Sequence, residues 1–83
     1  MDDILKVEAR FHTNGSIRPL AFIWRGVRYP ILSVGRQWTE GSTRHFMVSS
    51  LRRRVFEIEF DPLSATWRLC RTSGDFHRRL RRA

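Results

Sequence analysis

Apolar and polar residues alternate with a period of two along most of this chain, and no segment carries a sustained helical stripe. In ILKVEARFH, residues 4–12, Leu5, Val7, Ala9 and Phe11 fall on one face and Lys6, Glu8 and Arg10 on the other. An Asn14-Gly15 pair follows, the strongest short-range signal for a type I′ hairpin turn. IRPLAFIW is apolar on both faces at its centre, which predicts a strand that is covered on both sides or tightly curved. Pro19 stands near its start, where a missing backbone donor costs least. Arg25-Gly26 makes a tight turn into VRYPILSVG. There Val27, Tyr29 and Ile31 alternate with Arg28, and Pro30 points to an edge or a bulge.

RQWTEGST, residues 36–43, reads as the longest polar loop, with Trp38 inside it. In RHFMVSSL, Phe46 and Val48 are expected inward and His45, Met47 and Ser49 outward. Arg52, Arg53 and Arg54 make the next turn, after which Phe56, Ile58 and Phe60 point in and Glu57, Glu59 and Asp61 point out. Asp61-Pro62 opens another hairpin connection, and in WRLCR Trp67 and Leu69 face in while Arg68 and Cys70 face out. The pattern predicts an all-β fold, a small antiparallel meander of about six strands curled into a barrel or half-barrel, because closure hides strand edges. Residues 74–83, GDFHRRLRRA, break the alternation and predict a short basic tail or helix. Asp75 is placed to cap such a helix, with Phe76 and Leu80 one turn apart, but so short a helix is marginal unless docked. The expected organisation is one domain over residues 1–73 and a basic C-terminal tail over 74–83.

Length agrees with a single small domain: 83 residues bury only about 60% of their unfolded surface. Cys70 is the only cysteine, so no intrachain disulfide supports the fold. The longest apolar or proline run, PLAFIW, is far short of the ~18 residues a membrane span needs. The first residues, MDDILKVEAR, place acids where a signal peptide carries basic residues. A cytoplasmic protein without a membrane partner is expected. The net charge of +8 is almost all arginine, with Lys6 the only lysine among 16 basic residues. An arginine-rich codon usage is one cause of such a bias. The other is function, since guanidinium binds phosphate in a bidentate manner and stacks on bases.

Pro19, Phe22, Trp24, Gly26, Tyr29, Trp38, Phe56, Asp61, Trp67 and Leu69 carry a resemblance. Over about residues 17–71 this arrangement resembles a small uncharacterised bacterial β domain. That domain also occurs at the C-terminus of Y-family polymerase-like proteins of mutagenesis cassettes. The pattern usually has a glycine in the turn that Arg52 to Arg54 fill here. The resemblance implies a β fold and an association with DNA damage tolerance, and it brings no catalytic residues.

Function is then a matter of the exposed cations. Arg52, Arg53 and Arg54 cannot all pair with nearby acids, and burying them is costly, so they read either as a phosphate clamp or as a plain polar turn. The tail arginines Arg78, Arg79, Arg81 and Arg82 read as a basic arm or as a solubilising end. Arg68 and Arg71 extend the same basic surface. Trp24 and Trp67 belong to the core by phase, which leaves Trp38 as the candidate to stack on an unpaired base.

Glu57 and Glu59, about 7 Å apart by strand rise, are expected to pair with Arg68 and Lys6 rather than to catalyse. His12, His45, His77 and Cys70 are scattered and lack metal-ligand spacing, although arginines on both sides of Cys70 favour its thiolate. No nucleophile motif or phosphate-binding glycine loop is present. The sequence thus predicts a non-catalytic nucleic-acid-binding module with no cofactor, no metal and no small-molecule substrate, which contacts DNA or RNA through backbone phosphates. The alternative is a protein-interaction or homo-oligomerisation module, in which an exposed strand pairs with a partner or with a second copy.

Overall fold

A computed structural model describes residues 3–72. They form seven strands: β1 (Asp3–Phe11), β2 (Ile17–Trp24), β3 (Val27–Pro30), β4 (Ser33–Glu40), β5 (Thr43–Ser49), β6 (Val55–Asp61) and β7 (Thr66–Arg71), with one 3-10 turn at Leu51–Arg53. The sheet order is β3-β2-β1-β7-β6-β5-β4, and every neighbouring pair is antiparallel. β7 is therefore the central strand with β1 beside it, β3 forms one edge and β4 the other. The result is a curled half-barrel.

The curl is driven by the inner face. Leu5, Phe22, Phe46, Val48, Phe56, Ile58, Phe60, Trp67 and Leu69 form a buried core, as their alternation requires. Strands β2 and β6 are separated by two others in the sheet, yet Phe22 meets Phe56 edge-on with ring centroids 5.0 Å apart. Tyr29 stacks on Phe22 at 5.1 Å and lies 5.3 Å from Phe56. Burial of this aromatic cluster across the trough is what folds the sheet on itself. The Ser50 hydroxyl donates to the Pro30 carbonyl at 2.6 Å, and the Leu32 N–H to the Ser49 carbonyl at 2.8 Å, which fastens the β3–β4 connection to the end of β5.

Three expectations need correction. The segment read as a polar loop is mostly strand: Trp38 lies within β4, and only Gly41 and Ser42 stand between β4 and β5. This gives seven strands rather than about six. As an edge strand paired only to β5, β4 can be polar on both faces, and a register shift between Val34 and Gln37 hides its alternation.

The Asn14-Gly15 turn is not the two-residue type I′ form. The Gly15 N–H donates to the His12 carbonyl, the His12 N–H to the Ser16 carbonyl, and only Gly15 (φ +90°) is left-handed. That is a three-residue connection with a glycine bulge. The two-residue turn with both φ values positive is Arg25-Gly26 instead.

Pro19 is also buried inside the sheet rather than placed at a cheap end. It is tolerated because the β1–β2 register shifts between Glu8 and Ala9, leaving Leu20 as the extra residue. Pro30 does end an edge strand, as its missing N–H suggests.

Candidate nucleic-acid interface and a buried polar cluster

Register gathers the arginine turn with other cations. Asp3 lies opposite Leu69, Glu57 opposite Arg71, Trp24 opposite Val27 and Ser49 opposite Val55. The β2–β3 turn, the β5–β6 turn and the end of β7 therefore sit at one end of the sheet. Among the described residues four non-glycines have positive φ: Arg25 (+52°), Arg52 (+60°), Arg53 (+57°) and Ala65 (+53°). The three arginines are all at that end. A cleft of about 290 Å³ there is lined by Asp3, Trp24, Arg25, Cys70, Arg71 and Thr72.

The arginines of the turn are not equivalent. Arg52 and Arg53 are exposed. Arg54 is half-buried: its guanidinium lies 5.3 Å from the Tyr29 ring centre and 5.2 Å from that of Phe56, and it donates to the Tyr29 hydroxyl at 3.4 Å. The expectation that all three are solvated holds for two of them, since a guanidinium plane is weakly hydrated enough to lie on aromatic faces. Arg25 packs 4.6 Å over Trp24 and stands 3.8 Å from the Asp3 carboxylate. Arg10 and Arg18 lie directly opposite each other on β1 and β2, both exposed, a placement that like charges disfavour. Arg28 instead pairs with Glu8 through two contacts, at 2.9 and 3.1 Å. That hydrogen bond, reinforced by the guanidinium charge, holds the Glu8 carboxyl below its ordinary range and raises Arg28. Arg78, Arg79, Arg81 and Arg82, with His77, lie outside the described residues.

Trp38 is already engaged. Its ring stacks on His45 at 5.2 Å and 16°, Arg36 lies 5.0 Å from its centre, and its indole N–H donates to Glu40. It acts as a lid on His45, a position its assignment to a loop concealed.

Beneath that lid is a polar cluster on the face opposite the hydrophobic core. His45, Glu59 and Arg68 lie in one cross-strand row, and Glu57 lies opposite Arg71. A register shift between Glu57 and Ile58 leaves Cys70 as the extra residue between Arg71 and Leu69. His45 Nδ1 is 3.2 Å from Glu57 Oε2, and its Nε2 is 3.6 Å from Glu59 Oε2 and 3.1 Å from the Thr43 hydroxyl. Arg71 Nε lies 3.5 Å from the other Glu57 oxygen. The short contacts of Glu57 and Glu59 thus run to His45 and Arg71; Arg68 stands opposite Glu59 as expected but makes no such contact among the described residues, and neither does Lys6. His45 is 7% exposed and Glu57 8%, so a histidine and a carboxylate expected at the surface are interior groups. Alternation assigned their face correctly; what it could not give was the cover over that face.

A second cavity, of about 450 Å³, opens between the β1–β2 and β4–β5 turns and is lined mainly by Phe11, Ile17, Phe60 and Pro62, with Arg44 at its side. Arg44 closes that gap in part by donating to the Gly15 carbonyl at 2.6 Å. Among the described residues no helix is long and apolar enough to cross a membrane. No protein-family model, no curated protein and no solved structure matches the chain.

Proposed function

We propose that this domain is a non-catalytic nucleic-acid-binding module that contacts backbone phosphates with Arg25, Arg52, Arg53 and Arg71 at one end of the half-barrel. The observation that carries the reading is the left-handed backbone at Arg25, Arg52 and Arg53. An L-residue in that region costs roughly 1–2 kcal/mol relative to right-handed geometry, and glycine avoids most of the cost. Long cations kept at three such positions fit a site at which display of the side chain outweighs local stability. The cleft lined by Arg25 and Arg71 adds a second concentration of cations at the same end, each next to a carboxylate, Asp3 at 3.8 Å and Glu57 at 3.5 Å, with which a phosphate would compete. Four further arginines, Arg78, Arg79, Arg81 and Arg82, are separated from the end of β7 by six residues or more in the sequence and add to the net charge. The resemblance over residues 17–71 adds a context, service to a DNA repair or damage-tolerance assembly.

Fluorescence anisotropy of labelled single-stranded and duplex DNA and RNA, titrated with the protein across a salt series, tests this. Phosphate contacts make the logarithm of affinity fall linearly with the logarithm of salt concentration, by ~0.7–0.9 per phosphate neutralised. Absence of binding at low salt would overturn the proposal.

A second reading rests on a different observation. The outer edges of β3 and β4 have no partner strand among the described residues, and Val27 and Leu32 beside them are more than half exposed. Such an edge suits strand addition by a protein partner or by a second copy. A mass that doubles and survives high salt would favour this reading over the first.

A further inference from the structure

We propose that His45, Glu59 and Cys70 form a binding site for a divalent transition metal of the zinc class. One ligand atom from each, an imidazole nitrogen, a carboxylate oxygen and the sulfur, lie within 4.8 Å of one another. Nitrogen, oxygen and sulfur at tetrahedral zinc stand about 3.3–3.8 Å apart, given bonds of about 2.0–2.3 Å. The His45 Nε2 to Glu59 Oε2 distance of 3.6 Å already satisfies this. Only the sulfur has to approach, by about 1 Å at most, within reach of side-chain rotation. The three residues come from adjacent strands β5, β6 and β7, so the sheet itself fixes their spacing.

The surroundings suit a metal ligand set. Glu57 accepts at His45 Nδ1, the arrangement by which a carboxylate orients a ligating imidazole and leaves Nε2 for the ion. The Trp38 ring lies against the imidazole and limits its rotation. Glu59 and a Cys70 thiolate bring two negative charges to a dication, while the charge of Glu57 is met by Arg71. Arg68 lies opposite Glu59 and its charge opposes binding of a cation there. With three protein ligands, a fourth position is left to the Thr43 hydroxyl, which lies 3.1 Å from His45 Nε2, or to solvent. Thiolate and imidazole together select zinc-like ions over magnesium or calcium. Sequence spacing conceals all of this, because the ligands are 11 or more residues apart and meet only through strand pairing.

The test is cobalt(II) titration of chelator-treated protein, followed by visible absorption and then displaced by zinc. The expected result is one equivalent bound, with the intense ligand-field bands of a low-symmetry four-coordinate site and a thiolate charge-transfer band. Cys70→Ser should abolish the charge-transfer band and weaken binding at least tenfold, with the unfolding midpoint of the metal-free protein unchanged. Glu59→Gln provides a second variant, with the same weakening expected, should the cysteine variant fold poorly. Absence of cobalt bands at one equivalent, or bands that survive both substitutions, would overturn the proposal.

Discussion

His45 and Glu57 face each other across β5 and β6, Nδ1 3.2 Å from Oε2, with both side chains at least nine-tenths buried on the sheet face turned away from the aromatic core. The half-barrel therefore has two interiors of different chemistry. One is the apolar trough that folds the sheet, and the other is a thin polar layer under Trp38.

Removal of one member of that layer leaves donors without an acceptor. Glu57→Ala strands both the His45 N–H and the Arg71 guanidinium. A loss of roughly 1–3 kcal/mol is expected for the buried His45 N–H, and little more for Arg71, whose side chain is 39% exposed and can turn to water. Urea unfolding measures it, and Glu57→Gln, which keeps one acceptor oxygen, should lose less.

The aromatic cluster carries the curl. Phe22 is fully buried and touches both Tyr29 and Phe56. Phe22→Ala is expected to cost about 3–5 kcal/mol, a large share of the stability of so small a domain, and to lower its melting temperature steeply. Circular dichroism through a thermal scan reads this directly.

The three neighbouring arginines should separate in stability. Arg54→Ala removes a guanidinium packed on Tyr29 and Phe56, for an expected loss of about 1 kcal/mol. Arg52→Ala keeps the same left-handed strain and removes no contact with an aromatic ring, so its midpoint should move by less than about 0.5 kcal/mol. Denaturant midpoints of the two single variants make the comparison.

The Glu8–Arg28 pair gives a pH signature of known sign. The folded protein lowers the Glu8 carboxyl, first through the hydrogen bond from Arg28. Its contribution is therefore present above the ordinary carboxylate range and is lost as pH falls through the lowered value. Arg28, raised in the fold, loses its contribution only under strongly alkaline conditions. Both groups are exposed, so the effect is small. Glu8→Gln should melt slightly below the parent near neutrality, and the difference should vanish in acid.

Much of the fold was legible from alternation, because burial on a sheet has the period of the pleat. Phe56, Ile58, Phe60, Trp67 and Leu69 face the core as their phase requires. β4 was hidden because Arg36 to Glu40 form a polar edge strand whose phase slips at a register shift. The polar cluster was hidden for a different reason. His45, Glu59 and Cys70 belong to three strands, and which residues oppose one another depends on register and on the extra residue in β7. The exposure of Arg52 and Arg53 was legible from their charge, whereas the inward turn of Arg54 depends on Tyr29, 25 positions away in the chain.

The most direct measurement compares the parent with the double variant Arg52→Gly, Arg53→Gly in stability and in oligonucleotide binding. Glycine relieves the left-handed strain at φ +60° and +57°, so the unfolding midpoint should hold or rise, by about 1 kcal/mol at most after its own entropy cost. Binding should weaken more than tenfold at low salt, with the salt slope shallower by about two phosphates' worth. A variant that is as stable as the parent or more so, and that binds every oligonucleotide as tightly with the same salt slope, would contradict the assignment of these arginines to phosphate.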